Sequence, residues 1–153
     1  PSTPPFISTA CSAVSAFGSK VLFSTAWSSG SASEGLLVST ASAAVRSAAR
    51  EICDRFGCAA LVKGGHLRSS SDSPDVLYDG TDFHEFDAPR VDTGNDHGAG
   101  DTLAAATACA LAHGYSMPDA VVFGKAWVTE CLRSAYPIGD GLGPVSALFR
   151  LQM

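Results

Sequence analysis

The 153-residue sequence predicts an α/β fold. Three observations point there. An unbroken apolar run follows directly on an amphipathic helix. A two-residue turn signal separates two strand-like runs. A glycine-rich turn then opens into a long helix of small residues. The resulting order is helix, buried strand, hairpin, helix, helix.

The first helix is expected over residues 41–56, where Val45, Ala49, Ile52 and Phe56 recur at three- or four-residue spacing. Arg50/Asp54 and Glu51/Arg55 stand at i,i+4 as opposite charges, and Gly57 suits the left-handed position past the helix end. Ala59-Ala60-Leu61-Val62 follows, unbroken and apolar, which suggests a strand buried in a parallel sheet. It ends in Lys63-Gly64-Gly65-His66, and residues 68–74 form a polar loop. Asp75-Val76-Leu77-Tyr78 is a second strand. Asp79-Gly80 signals a hairpin, and Phe83–Val91 returns as the antiparallel partner, with Pro89 near an edge. After the turn formers at 92–100, a helix is expected from Ala99 to Ala112, buried on most sides, and His113-Gly114 closes it. Ser116, Pro118 and Asp119 carry the cap, first-turn proline and capping-box acid of a last helix that runs to Tyr136, before Pro137. A glycine-rich loop covers 137–144.

Composition changes near residue 40. Residues 1–50 hold 13 serines and a single acid, Glu34. The division expected is a Ser/Ala-rich segment of uncertain structure over 1–40 and a folded portion over 41–153. Val21-Leu22-Phe23 has strand character, and Ser28–Ser33 reads as linker.

Apolar residues at 46% and charged residues at 16% suit a folded chain with large buried faces. A net charge of −5 argues against nucleic acid or an anionic membrane as partner. A small anionic ligand remains compatible, since backbone N–H groups bind phosphate without net positive charge. Five cysteines, odd in number and without a CxxC pair, point to a reducing, cytoplasmic setting, and the Cys53/Cys58 spacing is a poor zinc signature. No set of metal ligands is identified. The chain starts at Pro1, which suggests a fragment or a processed product.

The chemistry is concentrated in Asn95-Asp96-His97-Gly98-Ala99-Gly100-Asp101-Thr102. Gly98 and Gly100, with Ala99 between them, let the backbone turn tightly and approach a ligand. The free N–H groups of the helix that starts there, with its dipole, make an anion hole of Gly98, Ala99 and Gly100. Asp101 lies at its lip, where a carboxylate suits the dipole and can serve as a general base. That pairing is the minimum for phosphoryl transfer. The competing reading is ordinary: Gly-x-Gly before a helix is common, and Asp in a first turn is a routine charge–dipole partner. Neither a Walker A loop nor a dinucleotide fingerprint fits the spacing.

Taken together, Val62–His66, Asp75-Val76-Leu77, Thr93–Thr102, Phe123-Gly124-Lys125-Ala126 and Gly141-Leu142-Gly143-Pro144 resemble, in order, the hydroxymethylpyrimidine phosphate kinase family of thiamine biosynthesis, over residues 44–146. The resemblance implies the C-terminal part of a ribokinase-like three-layer α/β/α fold, with a hairpin before the anion-hole helix. It implies transfer of the ATP γ-phosphoryl group with Mg2+ to hydroxymethylpyrimidine or its monophosphate. It also implies Asp101 as base, Gly98, Ala99 and Gly100 as anion hole, Lys63, Thr93 and Lys125 as nucleotide-binding residues, and adenine near the Phe123–Val128 helix. For Lys63 a solvated strand end is an equal reading, and Lys125 reads as an exposed helix lysine. His66 is expected as a hydrogen-bond partner, His97 as a shaper of the loop, and Cys109 and Trp127 as core.

Two departures qualify the likeness. Family members that act on the phosphate usually carry cysteine at the Asp101 position, whereas Asp is typical of ribokinase and some pyridoxal kinases. A base helps an alcohol nucleophile but not a phosphate already ionised near pH 7, so Asp101 favours the alcohol step and keeps a pyridoxal-type kinase as an alternative. The family's Ala-Gly-x-Asp-x-x-Gly and Thr-Pro-Asn-x-x-Glu-Ala segments also have no counterpart here. The chain is therefore expected to hold the phosphate end of a site without the substrate end, with incomplete activity alone. The remaining alternatives are a non-catalytic nucleotide-binding remnant and, through an exposed sheet edge, a homo-oligomer.

Overall fold

The computed structural model describes residues 12–16, 19–25, 34–64 and 74–152. Five strands form one sheet in the order β1-β2-β3-β4-β5: β1 Ser12–Ala16, β2 Ser19–Thr25, β3 Ala59–Lys63, β4 Asp75–Tyr78 and β5 Phe83–Phe86. Among the described residues three α-helices accompany them, α1 Glu34–Phe56, α2 Ala99–Ala112 and α3 Met117–Arg133, with a 3-10 turn at Phe149–Gln152. The chain divides into two compact units, one containing α1 and β2–β5 and the other containing α2 and α3. The Ser28–Ser33 linker, the 68–74 loop up to Ser73, and His66 lie outside the described residues.

In the first unit β3 runs parallel to β2, with Phe23 opposite Leu61, and antiparallel to β4, with Leu61 opposite Leu77. The sheet is therefore mixed, where the apolar run alone suggests a parallel one. The reason is that β3 leaves into a connection of modest length and returns beside itself, which an antiparallel neighbour allows. Leu61 and Leu77 are fully buried, each contributing about 2 kcal/mol by removal from water. On one sheet face Ala60, Val62, Val76 and Tyr78 pack with Val45, Ala49 and Cys53 of α1. Helical spacing of those α1 residues produces that stripe.

The helix α1 begins at Glu34, seven residues before the expected start. Gly35, Val38 and Thr40 are poor helix formers, so local pattern gives no sign of the first turns. Among the described residues no ion pair joins Arg50 to Asp54 or Glu51 to Arg55. Arg50 lies over the rings of Tyr78 and Phe83, at 5.3 and 5.2 Å, and Arg55 lies over Phe56. Arg46 pairs with Glu85 across the unit.

The hairpin forms as Asp79-Gly80 predicts, although β5 ends at Phe86 and not Val91. Asp79 organises it: Oδ1 accepts the Thr81 and Asp82 N–H groups, both at 2.8 Å, and Oδ2 lies 2.9 Å from His84 Nε2. The Asp82 N–H, then His84, then the Thr81 N–H hold its carboxyl down at about 2. Gly80 supplies the positive φ of 103° that the turn requires.

In the second unit α2 has the expected bounds. It is not buried all round: Ala105, Cys109 and Ala112 are exposed, so Cys109 is a surface thiol and not core. Small side chains at i, i+4 make a solvent face look apolar in sequence. Helix α3 starts as expected, capped by Ser116 through the Asp119 N–H, but stops at Arg133, three residues early. Pro137 disfavours helical backbone at Tyr136, and Ser134 and Ala135 close the end through bonds to Glu130 and Leu132. The two helices approach closely at Gly124. A Cβ there would lie 2.4 Å from Thr107 Oγ1 and 3.2 Å from the Leu103 carbonyl oxygen.

Candidate functional site

The segment leading into α2 is held by its own backbone and by the glycine-rich loop. The Asn95 N–H donates to Thr93 Oγ1 at 3.1 Å. The His97 N–H donates to the Gly143 carbonyl at 3.1 Å, and its own carbonyl accepts from the Val145 N–H at 3.0 Å. His97 and Pro144 thus form a short parallel bridge, and His97 shapes the loop as expected, through its main chain. Gly143 is required for this contact, because a Cβ would lie 2.0 Å from Asn95 Oδ1.

Gly98 is the N-cap of α2, in the left-handed region at φ 83° and ψ 4°, with no side-chain cap. The first helical bond runs from the Thr102 N–H to its carbonyl at 2.9 Å. The helix entrance therefore exposes backbone donors. One of the three expected anion-hole amides is taken: the Ala99 N–H donates to the Asp96 carbonyl at 3.1 Å. Among the described residues no protein acceptor meets the amides of Gly98, Gly100 or Asp101. The donor set at this entrance is accordingly Gly98, Gly100 and Asp101. A helix start with three open donors and a favourable dipole attracts an anion.

Asp101 sits in the first turn of α2 and is exposed. No hydrogen bond or ion pair engages its carboxylate among the described residues.

The other expected residues are placed as follows. Thr93 is half-buried, and its hydroxyl is part of the turn before the helix. Lys125 is buried, only 7% exposed, which corrects the reading of an exposed helix lysine. It follows Gly124, whose close contact with α2 draws that face of α3 inward, a feature that one-dimensional periodicity does not reveal. Lys63 is half-buried at the end of β3, in the first unit.

Two features were not anticipated. Asp75, 4% exposed, accepts the Gly64 N–H on Oδ1 at 3.0 Å and stands opposite Lys63 in the β3–β4 register. An acid at a strand start is the signal that could have flagged it. A row of rings, Tyr115, Phe123, Trp127 and Phe149, also runs along α3 at centroid spacings of 6.1, 6.0 and 4.9 Å. Arg150 lies over Trp127, so that tryptophan is part of a half-open aromatic row and not simple core.

The family described as phosphomethylpyrimidine kinase matches residues 35–146. A hydroxymethylpyrimidine/phosphomethylpyrimidine kinase from Mycobacterium leprae is 74% identical over 95 residues, which cover 60% of this chain and 34% of that protein. A protein of the same name from Streptomyces coelicolor is 49% identical over 86 residues, covering 56% of this chain and 31% of its own length. Among solved structures, the Staphylococcus aureus pyridoxal kinase in complex with AMP-PCP and pyridoxal aligns with TM-score 0.66 and 33% identity, over 69% of this chain and 39% of that one. The ADP complex of Bacillus subtilis pyridoxal kinase aligns with TM-score 0.65 and 27% identity, over 71% of this chain and 42% of that one. The chain spans about a third of the length of the curated relatives it matches.

Proposed function

The chain belongs to the phosphomethylpyrimidine kinase family, and on that premise we propose that it forms the phosphate end of an ATP-dependent kinase for hydroxymethylpyrimidine, its monophosphate, or both. The fold is the C-terminal part of a ribokinase-like domain. The observation that carries the proposal is the α2 entrance, with three open amides beside an unpaired Asp101. In this reading the Gly98, Gly100 and Asp101 amides neutralise charge developing on the transferred phosphoryl oxygens. The Asp101 carboxylate takes the proton from the attacking hydroxyl, contributing a factor of about 10² to 10⁴. Lys63, Thr93 and Lys125 are proposed as nucleotide-binding residues.

The residues fit an ATP phosphate tail, since backbone amides at a helix start bind phosphate irrespective of the negative net charge. Mg2+ enters the proposal with the nucleotide. Mg2+ is carried to such sites largely by phosphate oxygens and water.

A pyridoxal-type activity is the second reading. It is favoured by Asp101 and by the pyridoxal kinases among the structural neighbours. The test is phosphorylation of the pyrimidine alcohol, its monophosphate and pyridoxal by a full-length protein carrying this sequence. Turnover of the pyrimidine substrates supports the first reading, and turnover of pyridoxal alone supports the second. No turnover of any of the three, with nucleotide binding intact, would leave a non-catalytic nucleotide-binding role.

A further inference from the structure

The end of β3 is fixed by more than its ladder. Gly64, the residue after Lys63, is buried, and its N–H donates to Asp75 Oδ1 at 3.0 Å. It also lies so close to the start of β4 that a Cβ would fall 2.1 Å from the Pro74 carbonyl oxygen. Asp75 itself faces Lys63 directly across the antiparallel pair. A single buried carboxylate therefore grips the main chain just past the lysine and sets a negative charge opposite that lysine in the register. Burying a carboxylate at the start of a strand is costly when the alternative is an apolar residue. An acid there is suited to holding a cation and an N–H in a defined direction.

We infer that Asp75 is a positioning residue for nucleotide binding: by bonding Gly64 and facing Lys63, it fixes the direction in which the chain leaves β3 and so presents Lys63 to the nucleotide phosphates. The inference rests on the proposed phosphate-binding role of Lys63. It adds a residue that touches no ligand and acts through another. The glycine at position 64 belongs to the same device, because any side chain would push the main chain off the Pro74 carbonyl and lengthen the carboxylate bond.

The experiment is a double-mutant cycle read by calorimetric titration with Mg2+–AMP-PCP, with folding of each variant checked by circular dichroism. Lys63→Ala is expected to weaken binding. Asp75→Ala is expected to weaken it about ten-fold, as loss of a charge-assisted bond suggests. The double variant should bind no more weakly than the weaker single variant, since both changes remove one function. Asp75→Asn keeps an oxygen for the Gly64 N–H and should recover most of the affinity. If Asp75→Ala does not fold, Asp75→Asn and Gly64→Ala take its place, with mild weakening expected for the first and strong weakening for the second. Wild-type affinity in a folded Asp75→Ala, or fully additive losses in the double variant, would overturn the positioning role while leaving Lys63 as a phosphate residue. Unchanged binding in Lys63→Ala would instead remove the role of Lys63, and this inference with it.

Discussion

Gly98 occupies left-handed backbone while nothing crowds its Cβ position, the nearest atom being Val145 Cγ2 at 4.0 Å. Its requirement is thus conformational and not steric. Gly98→Ala should cost roughly 1–2 kcal/mol in thermal unfolding and weaken nucleotide binding, as the helix entrance shifts. Asp101 makes the opposite kind of demand, chemical and not structural, since it is exposed and unpaired among the described residues. Asp101→Asn should leave the melting temperature nearly unchanged and lower alcohol phosphorylation by about 10² or more, with nucleotide affinity retained. A variant that turns over the alcohol at the wild-type rate would exclude Asp101 as the base. Residue types alone single out Gly98, Ala99 and Gly100 as anion-hole candidates and Asp101 as a candidate base. What they leave out is the bond from the Ala99 N–H to Asp96, which moves the donor set by one residue. They also leave out the burial of Lys125, which depends on which face of α3 meets α2.

At the scale of elements, strong local signals translated directly. The glycine turn and alanine run define α2 at both ends, and the capping residues define the start of α3, because those boundaries are set by bonds within a few residues. The Val21-Leu22-Phe23 run lies within β2, whereas strand β1 and the first turns of α1 are poorly legible, because pairing with distant residues and not local pattern decides them. The hairpin offers a test in pH. The Asp79 carboxyl is held at about 2 in the folded chain against an ordinary 3.8. The folded value is the lower one, so the turn's contribution is present above 3.8 and is lost as pH falls through about 2. The stability gap between wild type and Asp79→Ala, measured by chemical unfolding, should be constant near neutrality and close across that acidic window. A gap that persists at pH 2 would contradict the assignment. The contact between α2 and α3 gives a second test. Gly124→Ala should destabilise by about 1–3 kcal/mol through overpacking, because its Cβ would meet Thr107 and the Leu103 carbonyl. Thr107 Oγ1 has no partner among the described residues, so Thr107→Val should be neutral or stabilising.

At the scale of the whole molecule, the chain carries one part of a family domain, and its relatives are about three times as long as the stretch it matches. No described helix is long and apolar enough to cross a membrane. The open amides at the start of α2 lie within one unit, where the Gly143–Asn95 contact and the His97 bridge brace the helix entrance. The most direct measurement is a titration of the 15N-labelled chain with Mg2+–AMP-PCP, followed through its amide resonances. The Gly98, Gly100 and Asp101 amides should shift together and saturably, with the Ala99 amide, already bonded to Asp96, moving less. Saturable binding that leaves the three amides in place would contradict a phosphate cradle at the start of α2.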